Sequence, residues 1–346
     1  MTALKRDLDN QARWTADQTV TSIYFGGGTP SLLPVPAMET LLTHIQTVWT
    51  GAKEIEVTLE ANPEDVTPEQ LRAWRDVGVN RISLGIQALD DDALTFLGRA
   101  HTRTDALKAA DLALEIFDNV SIDLIYARPG QSIEDWLGEL TKALAIGAPH
   151  LSLYELTIKE KTAFQKQVER KAFTPLDDDA QADLYRETLR VTDEAGLPAY
   201  EVSNHARSDA YWSRHNLTYW LGGDWLGVGP GAEGRFTASD GRHHTRGMER
   251  PADYIEALDN GQSGLTEHTA LTREEDADER LIMGLRSILG VRRGDLESLY
   301  GQRLSDNNIK SFRDSGHLQE SDGRLKLTQE GWLIADYIAG RLSPPV

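Results

Sequence analysis

The 346-residue chain contains no cysteine. That excludes disulfides, zinc–thiolate sites, thiol nucleophiles and iron–sulfur clusters held by thiolates of this chain. It also lacks any apolar run near the roughly 20 residues that a membrane-spanning helix needs. No charged segment followed by a short apolar core opens it as a secretory signal would. Basic residues are scarce: 36 Lys and Arg stand against 55 Asp and Glu, a formal net charge of -19. So acidic a chain repels phosphate backbones, which argues against nucleic acid as a partner. The expectation is a cytoplasmic protein. An apolar fraction of 40% and a charged fraction of 26% are ordinary for a globular chain, long enough for one large domain and a smaller one.

Strand-like and helix-like patterns alternate along residues 22–203. Short runs rich in β-branched and aromatic residues predict strands over 22–26, 54–60, 81–86, 120–126, 150–156 and 199–203. Between them, helical patterns cover roughly 36–49, 68–77, 90–98, 104–117, 133–147 and 177–195. Thr67-Pro68-Glu69 is a helix entry, and Gly78, Gly147 and Gly196 sit where helices should stop. Such alternation predicts parallel βαβ units, and the lack of an order reversal favours a partial or closed barrel over a doubly wound sheet. The opening "MTALKRDLDNQARW" has helical composition but no capping residue before it. It reads either as a short leading helix with a frayed end or as a chain that starts inside a βα unit. Residues 204–272 break the pattern with an aromatic, glycine-rich stretch, and residues 273–346 predict short helices and a hairpin in a winged-helix-like arrangement. That tail reads as a packing appendage, with a DNA- or protein-binding module as the alternative.

In parallel α/β folds the carboxyl ends of the strands carry the site. The first strand runs into "GGGTP", and bare backbone at Gly27, Gly28 and Thr29 can approach a ligand with N–H groups, or simply form a tight turn. It is neither the G-x-G-x-x-G dinucleotide fingerprint nor a P-loop. Glu60 ends the second strand, where a carboxylate can accept hydroxyls or an ammonium group, or be solvated. Gln87 ends the third, Arg99 follows as a candidate carboxylate clamp, and Asp123 lies inside the fourth, where a charge needs a partner. Separately, "RHNLTYW" puts His215 beside Tyr219 and Trp220. A neutral imidazole there is a candidate iron ligand with flat rings around it, or a packed core histidine. His243 and His244 show no ligand spacing.

The strings "FGGGTPSLL", "EVTLEANPEDVT", "GVNRISLGIQALDDDALTFLGRAHT", "SIDLIYARPGQSIEDW" and "SRHNLTYWLGGDWLGVGPGAEGRF" resemble the radical S-adenosylmethionine proteins of the oxygen-independent coproporphyrinogen III oxidase family. The H-N-x-x-Y-W string resembles its HemW branch, the haem chaperones. The resemblance runs from about residue 20 to the C-terminus. It implies an α/β fold: a partial (β/α)6 radical-SAM barrel over 1–203, a haem-binding connecting segment over 204–272, and a winged-helix-like α+β domain over 273–346. It implies S-adenosylmethionine at Gly27, Gly28, Thr29 and Glu60. Gln87, Arg99 and Asp123 match positions that hold a second such molecule in some members. It implies haem iron on His215, with Asn216, Tyr219 and Trp220 around it, and transfer to an acceptor such as a respiratory haem protein, by a monomer or a homodimer. Two departures stand out. The family's C-x-x-x-C-x-x-C, which holds a [4Fe–4S] cluster, is absent, so the expectation is a barrel without its first strand. Glu233 stands where the family usually has histidine. The alternative activity, coproporphyrinogen III oxidation, would need the missing cluster segment.

Overall fold

A computed structural model describes residues 1–49 and 54–344. The chain forms two compact units, one of Tyr24–Pro34 with Glu56–Trp212, the other of Met1–Ile23, Val35–Ile55 and Ser213–Val346.

The first unit is built on a six-stranded sheet: β1 (Ser22–Phe25), β2 (Glu56–Ala61), β3 (Arg81–Gln87), β4 (Val120–Tyr126), β5 (His150–Glu155) and β6 (Asn204–Ala206), in that order. Pairs β2–β3, β3–β4 and β4–β5 are parallel. Helices connect the successive strands. Their starts are local chemistry: the Thr67 side chain accepts from Gln70 N, and Thr102 and Ser132 form capping boxes with Asp105 and Asp135. Gly78, Gly147 and Gly196 end three helices at φ 110°, 82° and 76°, a region that favours glycine. Trp136 joins three elements. Its fully buried ring stacks on Tyr126 of β4 at 4.8 Å, and its Nε1 donates to Thr188 Oγ1 at 2.7 Å.

The sixth strand departs from expectation. Residues 199–203 do not continue the parallel series; β6 begins at Asn204 and runs antiparallel to β5. The cause is a tight reversal. The Glu201 carboxylate accepts from Ser203 N at 3.0 Å and Asn204 Nδ2 at 2.5 Å, while Tyr200 N donates to Asn204 O at 3.0 Å. Residues 199 to 205 therefore pair as a hairpin, with Ala199 opposite His205.

The second unit contains an antiparallel sheet that sequence patterning does not show: β7 (Glu233–Ala238), β8 (Gly241–Gly247) and β9 (Leu265–Ala270), in the order β7-β8-β9. The leading helix Thr2–Thr15 has no side-chain cap, as its sequence predicts, but its side chains anchor it. Trp14 stacks on Phe236 at 4.8 Å with the rings nearly parallel. Asp7, 2% exposed, accepts from Tyr254 Oη at 2.6 Å, Gln11 Nε2 at 3.1 Å and Gly229 N at 3.3 Å. A buried carboxylate is tolerable only with such donors. The helix Val35–Val48 lies against it, with His44 Nε2 at 2.7 Å from Asp9.

The C-terminal part has the expected winged-helix-like order: helix Arg273–Gly284, β10 (Val291–Arg292), helices Arg293–Tyr300 and Asp306–Asp314, then β11 (Leu318–Ser321) and β12 (Arg324–Leu327). The strands pair as β10-β12-β11. Asp322 and Gly323, both at positive φ (52° and 70°), make the two-residue turn of the β11–β12 hairpin.

Replacing Asp7 by Ala should leave the buried Tyr254 hydroxyl without its acceptor, at a cost of about 1–3 kcal/mol. A lowered urea midpoint with an unchanged denaturant slope is the expected result.

Candidate functional site

The three glycines after β1 have three different jobs. At Gly26 a Cβ would stand 2.8 Å from the Tyr24 ring and 3.4 Å from Glu60 Oε1, so the glycine makes room for that contact. Gly27 is at φ 122°, a conformation that side chains rarely adopt. At Gly28 a Cβ would meet no protein atom within 4 Å and the backbone needs no positive φ. Nothing in the protein requires glycine there, and its bare backbone faces open space. Thr29 follows at φ -145° and ψ 81° and opens the short 3-10 turn Pro30–Leu32.

Glu60, near the end of β2, is tied to this turn. Its Oε1 accepts from Tyr24 Oη at 2.8 Å and its Oε2 from Gly27 N at 3.3 Å. Burial pushes its carboxyl above the usual range, and the Asp123 charge adds to that, against the Tyr24 and Gly27 hydrogen bonds. Asp123 on β4 accepts from Ser83 Oγ at 2.7 Å and Ser121 Oγ at 2.8 Å. Burial raises its pKa too, opposed by the hydroxyls of Ser83, Ser121 and Ser152. Ser83 is the register partner of Glu60, so the two carboxylates flank one serine. Sequence patterning does not find Tyr24, Ser83 or Ser121; the only signal is polar residues inside apolar strands.

Gln87 takes φ 63° at the end of β3, where the register with β4 shifts. A non-glycine residue held in this region is a strained position that its surroundings must enforce. His101 does part of that: its buried ring reaches Ile86 O at 3.0 Å through Nε2 and Glu64 at 3.1 Å through Nδ1. Gly85 gives the Gln87 amide space, since a Cβ there would lie 2.6 Å from Nε2. Arg99 makes no ion pair with Glu60 or Asp123 among the described residues, and its Nε–H is buried without a hydrogen-bond acceptor.

The H-N-x-x-Y-W string forms the helix Arg214–Trp220, with Ser213 Oγ accepting from Asn216 N at 3.2 Å. Residues four apart share a face. His215 and Tyr219 form one pair, with Tyr219 Oη 2.8 Å from His215 Nε2 and the rings edge-to-face at 4.7 Å. Asn216 and Trp220 lie on the adjacent stripe. Tyr219 packs edge-on to Trp225 at 4.6 Å, and the guanidinium groups of Arg235 and Arg242 lie 5.7 and 5.5 Å from the Trp225 ring centre. Arg286 lies 5.9 Å from the Trp220 ring. Burial pushes the Tyr219 hydroxyl up to about 12, so it is a neutral donor at physiological pH. Glu233 on β7 sits 3.7 Å from Arg246 and 3.9 Å from His244, both on β8.

The residues present fit S-adenosylmethionine. Gly28 keeps a bare backbone that the protein itself does not need, Glu60 offers acceptor oxygens, and Arg99 an unsatisfied donor. They do not fit a [4Fe–4S] cluster. The chain has no thiolate, and no group of three His, Asp or Glu side chains among the described residues is arranged to hold a metal ion. No helix among those residues is long and apolar enough to cross a membrane.

The Radical SAM superfamily model matches residues 3–142, and the HemN C-terminal domain model residues 271–334. The structure of coproporphyrinogen III oxidase (HemN) from Escherichia coli superimposes with a TM-score of 0.80 at 20% identity, over 99% of this chain and 82% of that one. The fold is therefore that of a radical S-adenosylmethionine protein with a HemN-type C-terminal domain. The heme chaperone HemW of Mycobacterium tuberculosis is 33% identical over 98% of this chain and 85% of its own length. That of Bacillus subtilis is 29% identical over 98% and 90%. Radical S-adenosyl methionine domain-containing protein 1, mitochondrial, of Dictyostelium discoideum is 33% identical over 96% and 82%. The chain belongs to the HemW haem-chaperone family of radical S-adenosylmethionine proteins.

Because burial raises Glu60 and Asp123, the folded state holds these protons more tightly than the unfolded one. Stability from this source is complete below the unfolded carboxylate value and is lost as pH rises through the folded values. Asp123→Asn removes part of that loss. The stability of the variant relative to the native chain should rise as pH increases from the ordinary carboxylate range through the raised value of Asp123. Urea unfolding across that range measures it, and a falling difference would contradict the assignment.

Proposed function

We propose that this protein binds haem through His215 and hands it to an acceptor protein, and that the carboxyl ends of the sheet bind S-adenosylmethionine. The observation that carries the haem reading is the His215 side chain. In a member of the haem-chaperone family it lies half-buried on the helix of the H-N-x-x-Y-W string, beside the ring of Tyr219, which itself packs on Trp225. Haem iron bound there would take the imidazole lone pair. Tyr219 and Trp220 would offer aromatic faces to the porphyrin, and Asn216 an amide at its edge. The proposed acceptor is a respiratory haem protein and the proposed compartment the cytoplasm.

In the sheet, Gly27, Gly28 and Thr29 would present backbone N–H groups to the methionine end of S-adenosylmethionine, and Glu60 would accept from its ribose hydroxyls or ammonium group. Gln87, Arg99 and Asp123 are proposed as contacts to a second molecule of the same kind. Oxidase chemistry needs a thiolate-held cluster, for which this chain supplies no ligand, so the proposed role is binding and transfer.

Adding hemin to the full chain should give a Soret band that His215→Ala weakens at least tenfold in affinity; an unchanged titration would remove His215 as the ligand. For the second site, Glu60→Ala should weaken S-adenosylmethionine binding by about tenfold or more, the scale of a lost charge-assisted hydrogen bond. Calorimetry with the native chain as reference decides it, and equal affinities would exclude Glu60.

A further inference from the structure

The tip nitrogen of His215 already has a partner. Tyr219 Oη lies 2.8 Å from Nε2, the ring nitrogen remote from the side chain's own methylene and so the one best able to reach an iron at the centre of a flat macrocycle. We propose that Tyr219 is a positioning residue that covers the His215 lone pair in the haem-free protein and competes with iron for it, so that haem is held loosely enough to be passed on. This rests on the reading of His215 as the haem ligand.

When the tyrosine hydroxyl donates to Nε2, the imidazole proton must sit on Nδ1. Iron requires that same tautomer. Tyr219 thus keeps the ring in the form that can ligate while occupying the atom that would do so. Loading breaks one O–H···N hydrogen bond and forms one N–Fe bond, with no net gain or loss of protons; release reverses both changes.

The hydroxyl is built to return. The Tyr219 ring packs edge-on to Trp225 at 4.6 Å, and Trp225 is held on both sides. Its backbone exchanges hydrogen bonds with Arg235 at 2.7 and 2.8 Å, and its ring lies near the Arg235 and Arg242 guanidinium groups. Arg235 is fixed in turn by the Glu279 carboxylate at 2.6 and 3.0 Å. A ring supported in this way has a defined resting place on the imidazole, from which it must be displaced by the arriving iron.

The test uses the full chain as native protein, Tyr219→Phe and His215→Ala. Phenylalanine keeps the ring contacts with Trp225 and removes only the hydroxyl. Hemin titration should show Tyr219→Phe binding roughly three- to tenfold tighter, the worth of one neutral hydrogen bond. Transfer of hemin to apomyoglobin should slow by a similar factor. In the haem-free proteins, the nitrogen-15 resonance of His215 Nε2 should move between native and Tyr219→Phe. Equal or weaker hemin binding by Tyr219→Phe, or an unmoved Nε2 resonance, overturns the masking role while His215 still stands as ligand. Unchanged binding by His215→Ala overturns both.

Discussion

One buried guanidinium decides where the candidate haem ligand stands. The helix that carries His215 has seven residues, far below the roughly 12–15 at which an isolated helix becomes even marginally stable. Its end is held by Arg242 of β8, which donates to Gly222 O at 3.0 Å and to Gly223 O at 2.8 Å. Burying that charge is tolerable because Asp276 accepts from it at 3.2 Å and Trp225 lies near it. Gly284 completes the arrangement: a Cβ there would come within 3.3 Å of Trp220 O, so its absence lets the helix Arg273–Gly284 pack close. The geometry of His215, Tyr219 and Trp220 is thus imposed by a sheet and a helix distant in the sequence, with little from the propensity of the string itself.

The sheet obeys the opposite logic. Its helices are individually well specified by caps and glycine stops, which leaves room for unfavourable features at the strand ends. A desolvated carboxylate on each of β2 and β4 and a left-handed glutamine at the end of β3 are such features, and Arg99, after the helix Asp91–Phe96, adds an Nε–H without an acceptor. A polar ligand would satisfy the desolvated acids and the unpaired Nε–H, though it would leave the backbone strain of the glutamine. Perturbed acids and strained backbone concentrate at binding sites. The glycine turn shows the same division within three residues: Gly26 answers to packing, Gly27 to backbone conformation, and Gly28 to nothing the protein contains.

Much of the first unit was legible in the sequence. The βα alternation, the sequential strand order, the helix starts at Thr67 and Thr102, and the polar strand-end positions of Glu60 and Asp123 are all local or periodic signals. The reversal at Glu201 was not, because "AYEVS" has strand composition and only the side-chain bonds to Ser203 and Asn204 turn it back. The β7–β9 sheet escaped because "GRHHTRG" and "LTEHTA" are polar; β9 is mostly exposed and carries no alternation to detect. The anchoring of the leading helix also depends on residues more than 200 positions away, such as Gly229 and Tyr254.

Composition and near-neighbour pattern settle the βα series of the first unit, the residue types along its strands, and the lack of a thiolate, since these depend on neighbours a few residues apart. Tertiary structure alone decided the atoms' partners: Tyr24 on Glu60, Ser83 on Asp123, Arg242 under the His215 helix, and Trp225 behind Tyr219. Period and propensity describe a residue's own backbone and face, whereas a hydrogen bond between distant side chains exists only once packing has brought them within about 3 Å of each other.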